Sequence, residues 1–227
     1  MSTVSIDCVL FDLDGTLVDS AQDLLAATNR VLARMDRAPL DLEVFRPIVS
    51  KGARAMLALA FPDLDADQRE RLVPELLEHY ADSIAGHSAA FEGIESLLQR
   101  IERAGLRWGI VTNKPEALAR SVVHAMGWSE RCAVLVGGDT LVAKKPDPAQ
   151  LLHACELLKT TADRCVYVGD DERDVQAARA AGMASIVALW GYREAHDDPA
   201  KWGGDRSIAT PLELCFGLAD GFGRDKY

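Results

Sequence analysis

Positive charge is what this sequence has least of to spare. Against 35 aspartates and glutamates it carries 25 lysines and arginines, a formal net charge of -10 at pH 7. Sequence-independent binding to nucleic acid rests on basic surface, so that class is excluded, whereas a local basic pocket for a small anion is not. Cysteine is sparse too: Cys8, Cys132, Cys155, Cys165 and Cys215 are scattered, odd in number and form no Cys-x-x-Cys. Such a pattern fits neither a disulfide framework nor a zinc site, and it suits buried free thiols in a reducing compartment. No apolar run is long enough to span a bilayer, and no basic segment leads into a long apolar one near Met1. A soluble, cytoplasmic protein without a membrane partner is therefore expected. Internal repeats, low-complexity tracts and N-glycosylation sequons are missing as well. What is present is ordinary globular material: 227 residues, 48% of them hydrophobic, enough for one large domain or for a domain with an insertion.

The chemistry gathers first at Val9-Leu10-Phe11-Asp12-Leu13-Asp14-Gly15-Thr16-Leu17. In an extended chain, residues at i and i+2 point to the same side. Two carboxylates aimed into one place repel unless something positive sits between them, and a divalent cation is the natural third party. Gly15 lets the backbone turn and leaves N–H groups to face an anion. An aspartate nucleophile with an aspartate acid/base, acting on a phosphate, is the chemistry this suggests. Acidic pairs before glycine also occur as plain turns. A calcium loop opens the same way, but it needs a helix before it and a Glu at its twelfth position, where this chain has Asp23.

Residues 4 to 11 read as a buried strand. From Ser20, a plausible N-cap, the texture turns helical: Gln22 to Met35, Leu42 to Val49, Ala53 to Phe61 and Asp67 to Ile84, with no good strand between them. Strand and helix then alternate. Helices are expected at Glu92 to Ala104, Glu116 to Met126, Pro148 to Leu158 and Val175 to Ala181; strands at Arg107 to Val111, Cys132 to Val136, Cys165 to Val168 and Ser185 to Leu189. Alternation of this kind builds a parallel sheet with helices on both faces and its ligand site at the carboxyl ends of the strands. The helical block should sit over that same edge as a lid that excludes water.

Three further signals stand at or near strand ends. Val111-Thr112-Asn113-Lys114 ends a strand in a hydroxyl and an amide, which suits either a helix cap or a phosphate. Lys144-Lys145-Pro146-Asp147-Pro148 is an extended basic loop, and loop lysines are mostly solvated. Val168-Gly169-Asp170-Asp171-Glu172-Arg173-Asp174 brings acids into a helix start, where they serve either the helix dipole or a cation.

In this order the four stretches resemble the motifs of the haloacid dehalogenase superfamily of phosphatases, along nearly the whole chain. The resemblance implies an α/β fold: a Rossmann-like parallel-sheet core, residues 1–19 and 90–227, with an inserted α-helical cap at 20–89. It implies Mg²⁺ as cofactor. Asp12 corresponds to the nucleophile and a metal ligand, and Asp14 to the acid/base, whose carbonyl also meets the metal. Thr112 and the Asn113 amide correspond to the phosphoryl-binding groups, with Gly15 and Thr16 beside them, and Lys145 to the lysine that steadies the nucleophile. Asp170 corresponds to a further metal ligand, while Asp171 and Asp174 stand behind it. Asp14 must carry a proton to the leaving alcohol and then take one from water, so acidic neighbours and burial are expected around it.

Within the superfamily the chain resembles the phosphoglycolate phosphatase-like group, and more closely the bacterial N-acetylmuramic acid 6-phosphate phosphatases of peptidoglycan recycling. The closer likeness rests on Ser50-Lys51-Gly52-Ala53-Arg54-Ala55-Met56, on His87 to Gly93, on Trp108 to Pro115, and on Trp190-Gly191-Tyr192 with Asp198 to Gly203. The implied substrate is a small phosphorylated metabolite, and monomer and homodimer both remain open. Lys51, Gly52 and Arg54 are candidates for substrate choice: Gly52 for close backbone approach, the cations for a carboxylate. A solvated helix start accounts for them equally well. Trp190, Tyr192 and Trp202 either stack on a sugar or pack on the core; His79 and His87 lack metal-ligand spacing. A sugar-phosphate mutase shares all four motifs. Phosphonoacetaldehyde hydrolases and haloacid dehalogenases lack the acid at the position of Asp14. A receiver-like phosphoacceptor module has no helical insertion.

Overall fold

The computed structural model describes residues 6–215. The chain runs through β1 (Cys8–Phe11), β2 (Val18–Asp19), α1 (Ala21–Arg34), α2 (Leu42–Phe45), α3 (Ala53–Ala60), α4 (Ala66–Glu70), α5 (Val73–Ala81) and β3 (Ala89–Ala90). It continues through α6 (Ile94–Arg103), β4 (Arg107–Val111), α7 (Glu116–Ala125), β5 (Leu135–Val136), α8 (Ala149–Leu158), β6 (Cys165–Gly169), α9 (Glu172–Ala181), β7 (Ala184–Ala188) and β8 (Arg206–Ile208). Among the described residues six strands form one parallel sheet in the order β5-β4-β1-β6-β7-β8.

Strand β1 is central and buried throughout, and its apolar run shows why: a parallel strand covered on both faces has no polar side. Val9 and Phe11 join a cluster with Leu97, Leu98 and Ile101 of α6. Cys8 and Leu10 face the other way, toward Leu151 and Ala154 of α8 and Ala177 and Ala178 of α9. Register then sets the site. Phe11 lies opposite both Ile110 of β4 and Val168 of β6, so Asp12, Thr112 and Asp170 leave the sheet at one edge. The chain also reverses direction across the sheet here, β4 and β5 lying on one side of β1 and β6 to β8 on the other, which is where open α/β sheets place ligands.

Helices α1 to α5 lie between β2 and β3, which pair antiparallel at Val18↔Ala90 and Asp19↔Ala89. The buried face of α1 is Leu24, Ala27, Thr28, Val31 and Leu32, the stripe of an amphipathic helix. That stripe belongs to the same apolar cluster as Phe45, Leu57 and Leu76 of the other inserted helices.

Several elements differ from the sequence reading. Val4 and Ser5 of the expected first strand lie outside the described residues. The helix expected over Asp67 to Ile84 is two helices, because Pro74 lacks an N–H and its ring excludes a carbonyl one turn back; α4 ends at Glu70 and Pro74 sits in the first turn of α5. Pro47 likewise turns the end of the Leu42 to Val49 stretch into a 3-10 segment over Arg46–Lys51. The short β2/β3 pair and β8 have no counterpart in that reading. The thiols are unpaired, but only Cys8, Cys155 and Cys165 are buried; Cys132 is half-buried and Cys215 exposed.

Candidate active site

The first turn after β1 cannot be built without glycine. Gly15 has φ +86, and a Cβ there would lie 2.2 Å from Asp170 Oδ2, so both conformation and crowding require its bare backbone. Asp170 is buried and fixed from three directions. Its Oδ1 accepts from the Thr16 hydroxyl at 2.8 Å, and its Oδ2 from the Ser50 hydroxyl at 2.7 Å and the Tyr192 N–H at 3.0 Å. Gly15 and Thr16, expected beside the substrate, both lie against Asp170.

Asp12 accepts at Oδ1 from the Leu13 N–H at 2.8 Å, and Lys145 Nζ lies 3.0 Å from the same oxygen. Lys145 also donates to Asp174 Oδ1 at 2.7 Å and to the Tyr167 hydroxyl at 2.8 Å. Burial alone would lower the lysine's pKa, but Asp12 and Asp174 more than offset it, and the value is raised. Burial, opposed by Lys145 and reinforced by Asp12, raises Asp174 to about 6; burial with Asp12 and Asp174 nearby pushes Asp170 well above the carboxylate range.

Asp12, Asp170 and Asp174 each offer an oxygen within 4.8 Å of the others. Hard, buried, mutually repelling carboxylates are a donor set that suits Mg²⁺, and burial first, with Asp12 beside them, raises both Asp170 and Asp174. The two oxygens of Asp174 are already engaged, Oδ1 by Lys145 and Oδ2 by the Asp171 N–H at 3.0 Å. Asp171 and Asp174 also form the capping box of α9, so helix start and acid cluster are one structure. The Asp14 carboxylate is not in the cluster.

Asp14 instead faces a cation. Lys114 Nζ donates to its two oxygens at 3.0 and 3.1 Å and to the Tyr80 hydroxyl at 3.0 Å, with the ammonium 4.1 Å from the Tyr80 ring centroid. This corrects the expectation of acidic neighbours around Asp14. Burial would lower the Lys114 pKa, but Asp14 and Tyr80 raise it above the ordinary value. Ser20 is at the start of α1 but makes no side-chain cap; its hydroxyl donates to Asp14 Oδ1 at 2.5 Å.

Thr112 is buried, and its Oγ1 accepts from the Lys114 N–H at 3.3 Å, a cap-like contact. The Asn113 side chain is spent on Lys145, donating to its carbonyl at 3.0 Å and accepting from its N–H at 3.1 Å. A cavity of about 360 Å³ opens between this edge and the inserted helices, lined by Asp12, Asp14, Thr112, Asn113, Lys114 and Lys145 below and by Lys51, Gly52 and Arg54 above. Gly52 has φ +86 and a Cβ there meets nothing within 4 Å, so conformation rather than crowding demands glycine. Lys51 reaches Asp197 at 3.2 Å and Asp171 at 3.5 Å, and Arg54 is paired with Glu70 at 2.7 Å.

Sequence reading gave no role to Ser50, Tyr80, Lys114, Arg173 or Tyr167. Lys114 carried a usable signal, since it follows Thr112 at the same two-residue spacing that links Asp12 to Asp14. Arg173 binds Asp171 and the Ser50 carbonyl, the latter at 2.5 Å, joining α9 to the insertion. The late aromatics pack: Trp190 donates to the Thr16 carbonyl at 3.0 Å, the Tyr192 hydroxyl to Asp19 at 2.7 Å, and Trp202 is buried. His87 contacts Asp23 and His79 contacts Glu75, and neither histidine lines the cavity. Among the described residues no helix is long and apolar enough to cross a membrane.

The family model for haloacid dehalogenase-like hydrolases matches residues 9–188. A phosphoglycolate phosphatase of Xanthomonas campestris pv. campestris is 54% identical over 206 residues, covering 91% of this chain and 93% of that protein. An N-acetylmuramic acid 6-phosphate phosphatase of Pseudomonas aeruginosa is 42% identical over 215 residues, covering 94% and 95%. The crystal structure of a predicted phosphoglycolate phosphatase from Haemophilus somnus 129pt superimposes with a TM-score of 0.81 at 23% identity, covering 91% and 95%, a likeness of fold. The chain belongs to the haloacid dehalogenase-like hydrolase family.

Proposed function

We propose that this member of the haloacid dehalogenase-like hydrolases turns over N-acetylmuramic acid 6-phosphate through a phosphoaspartate on Asp12, in the cytoplasm. It is a phosphoric monoester hydrolase. The observation that carries the reading is the state of Asp12, a residue that lines the cavity: the Leu13 N–H and Lys145 hold Oδ1, which leaves Oδ2 as the attacking atom. Oδ2 bonds to phosphorus while the bond from phosphorus to the ester oxygen breaks, and Asp14 gives that oxygen a proton. Asp14 then takes a proton from the water that splits the acyl phosphate, which returns Asp12 and releases phosphate.

Thr112 Oγ1 and the Asn113 backbone N–H bind the phosphoryl oxygens, because the Asn113 side chain is committed to Lys145. Lys145 balances charge on nucleophile and phosphoryl group together. Asp12 and Asp170, which share an acidic cluster with Asp174, would hold Mg²⁺ together with the Asp14 carbonyl, with Asp174 and Asp171 supporting them; bound there, Mg²⁺ would offset the repulsion between the nucleophile and the phosphate dianion. The inserted helices serve as the cap, and Lys51, Gly52 and Arg54 line its share of the cavity.

The cavity favours a substrate larger than a two-carbon acid. About 360 Å³, lined on the cap side by Leu24, Met56, Val73, Leu76 and Leu77, suits an amino sugar with an apolar acetyl group. The 54% relative supports 2-phosphoglycolate as the second reading. Phosphate release with Mg²⁺ from both compounds and from hexose phosphates, ranked by kcat/KM, separates them. Asp12→Asn should end turnover of all, a loss on the order of 10⁴-fold or more. Trapped wild-type protein should carry added phosphate mass on the peptide containing Asp12. Retained turnover in the variant, or mass elsewhere, overturns the mechanism.

A further inference from the structure

Among the contacts between cap and core is a buried ammonium. Lys114 is 5% exposed at its side chain and Asp14 15%, and Tyr80 is fully buried on α5. Lysine has three N–H donors and no acceptor. Here the ammonium is spent on Asp14 Oδ1, Asp14 Oδ2 and the Tyr80 hydroxyl, and it also rests on the Tyr80 ring. Asp14 Oδ1 accepts from Ser20 as well, so Oδ2 is the less encumbered oxygen. No other side chain of the inserted helices bonds to a group that touches Asp14 among the described residues. Its acid/base carboxylate is therefore oriented by a lysine that is itself oriented by the cap.

We propose that Lys114 and Tyr80 are positioning residues for Asp14: the Tyr80 hydroxyl sets the Lys114 ammonium, which holds Asp14 with Oδ2 toward the leaving oxygen. The inference rests on Asp14 as the proton carrier. When α5 is seated over the sheet edge the chain of contacts is complete, and when it is not, Lys114 loses one of its anchors. Seating of α5 thus completes the set of contacts that fixes the acid, which couples its orientation to closure of the cavity.

Leaving-group dependence tests this, because nitrophenolate departs from p-nitrophenyl phosphate without a proton while the sugar or glycolate alcohol does not. Tyr80→Phe keeps the ring and its packing and removes only the hydroxyl. Its kcat on alkyl phosphomonoesters is expected to fall about tenfold to a hundredfold with KM nearly constant. The presteady-state burst of nitrophenolate should change by under about twofold, since that step needs no acid. Lys114→Met should show the same selectivity, more strongly; if it does not fold, Tyr80→Phe decides alone. Asp14→Asn is the benchmark. If Asp14→Asn is selective for alkyl esters and Tyr80→Phe slows both steps equally, slows neither, or changes only KM, the link is wrong while Asp14 stands. If Asp14→Asn is itself unselective, the acid/base assignment fails, and this inference with it.

Discussion

At the sheet edge the Lys145 side chain is 2% exposed and bound to Asp12 and Asp174; in the inserted helices the Arg54 side chain is 76% exposed and bound to Glu70, itself 50% exposed. Both are cations of one cavity, yet they answer to different physics. A buried charge is tolerated only with fully satisfied partners, so its position is dictated by the surrounding acids. A solvated pair contributes about 0–1 kcal/mol and dictates nothing. The rigid half is suited to a reaction whose atoms must be held in place, the loose half to a choice of substrate that can change without disturbing the reaction.

Replacing Lys145 by Met strikes at the rigid half. Asp12 and Asp174 would face each other with no cation between them, and the loss of one partner of a buried ionic group costs about 3–5 kcal/mol. With charge stabilisation gone as well, kcat should fall on the order of 10²–10³-fold. Urea unfolding and steady-state rates measure the two. A stability loss no larger than that of Arg54→Ala would erase the contrast between the halves.

Proton linkage sharpens the same contrast without mutation. The ordinary Asp value is 3.8, and in the folded protein Asp174 is raised to about 6, chiefly by burial. A raised carboxyl favours the folded state below 3.8 and loses that contribution as pH climbs through about 6, where the buried group must ionise. Mg²⁺ bound to the ionised acids would reverse the loss. The rise in Tm on adding Mg²⁺ should therefore be small near pH 4, grow as pH climbs through about 6, and go on growing above it, because Asp170 is raised further still. The exposed pair of Arg37 and Asp63, which takes no part in the cluster, should leave that curve unchanged when replaced by Ala. A flat Mg²⁺ effect across the range would remove Asp170 and Asp174 from the metal site.

How far the sequence discloses all this follows the same division. Asp12, Thr112 and Asp170 were legible because a strand that must be apolar on both faces ends abruptly in polar residues, and parallel register then brings those ends together. The alternation of elements disclosed the sheet but not β8, whose three residues carry no apolar run, nor the two-residue β2 and β3. Pro74 was a visible breaker inside a helical stretch and was outweighed by its periodicity. Ser50 and Tyr80 were hidden for a different reason: each takes its place from a partner far along the chain, Ser50 from Asp170 and Tyr80 from Lys114. Contacts between cap and core leave no periodic trace, so composition and spacing cannot reveal them.

The smallest effect is the one that tests the loose half directly. Arg54→Ala removes an ion pair exposed on both sides, so stability should change by under about 1 kcal/mol, read as a shift in the urea midpoint with an unchanged m value. Its guanidinium nonetheless borders the cavity across from Asp12, where a substrate carboxylate could replace Glu70 as its partner. The ranking by kcat/KM among acidic and carboxylate-free phosphomonoesters should then shift toward the carboxylate-free ones, while turnover of p-nitrophenyl phosphate holds. Because Lys51 is already divided between Asp171 and Asp197, Arg54 is the freer of the two cap cations to make that exchange. An unaltered ranking would mean that the cap cations only solvate the helix start, and that selection lies in the apolar wall of Leu24, Met56 and Leu76 instead.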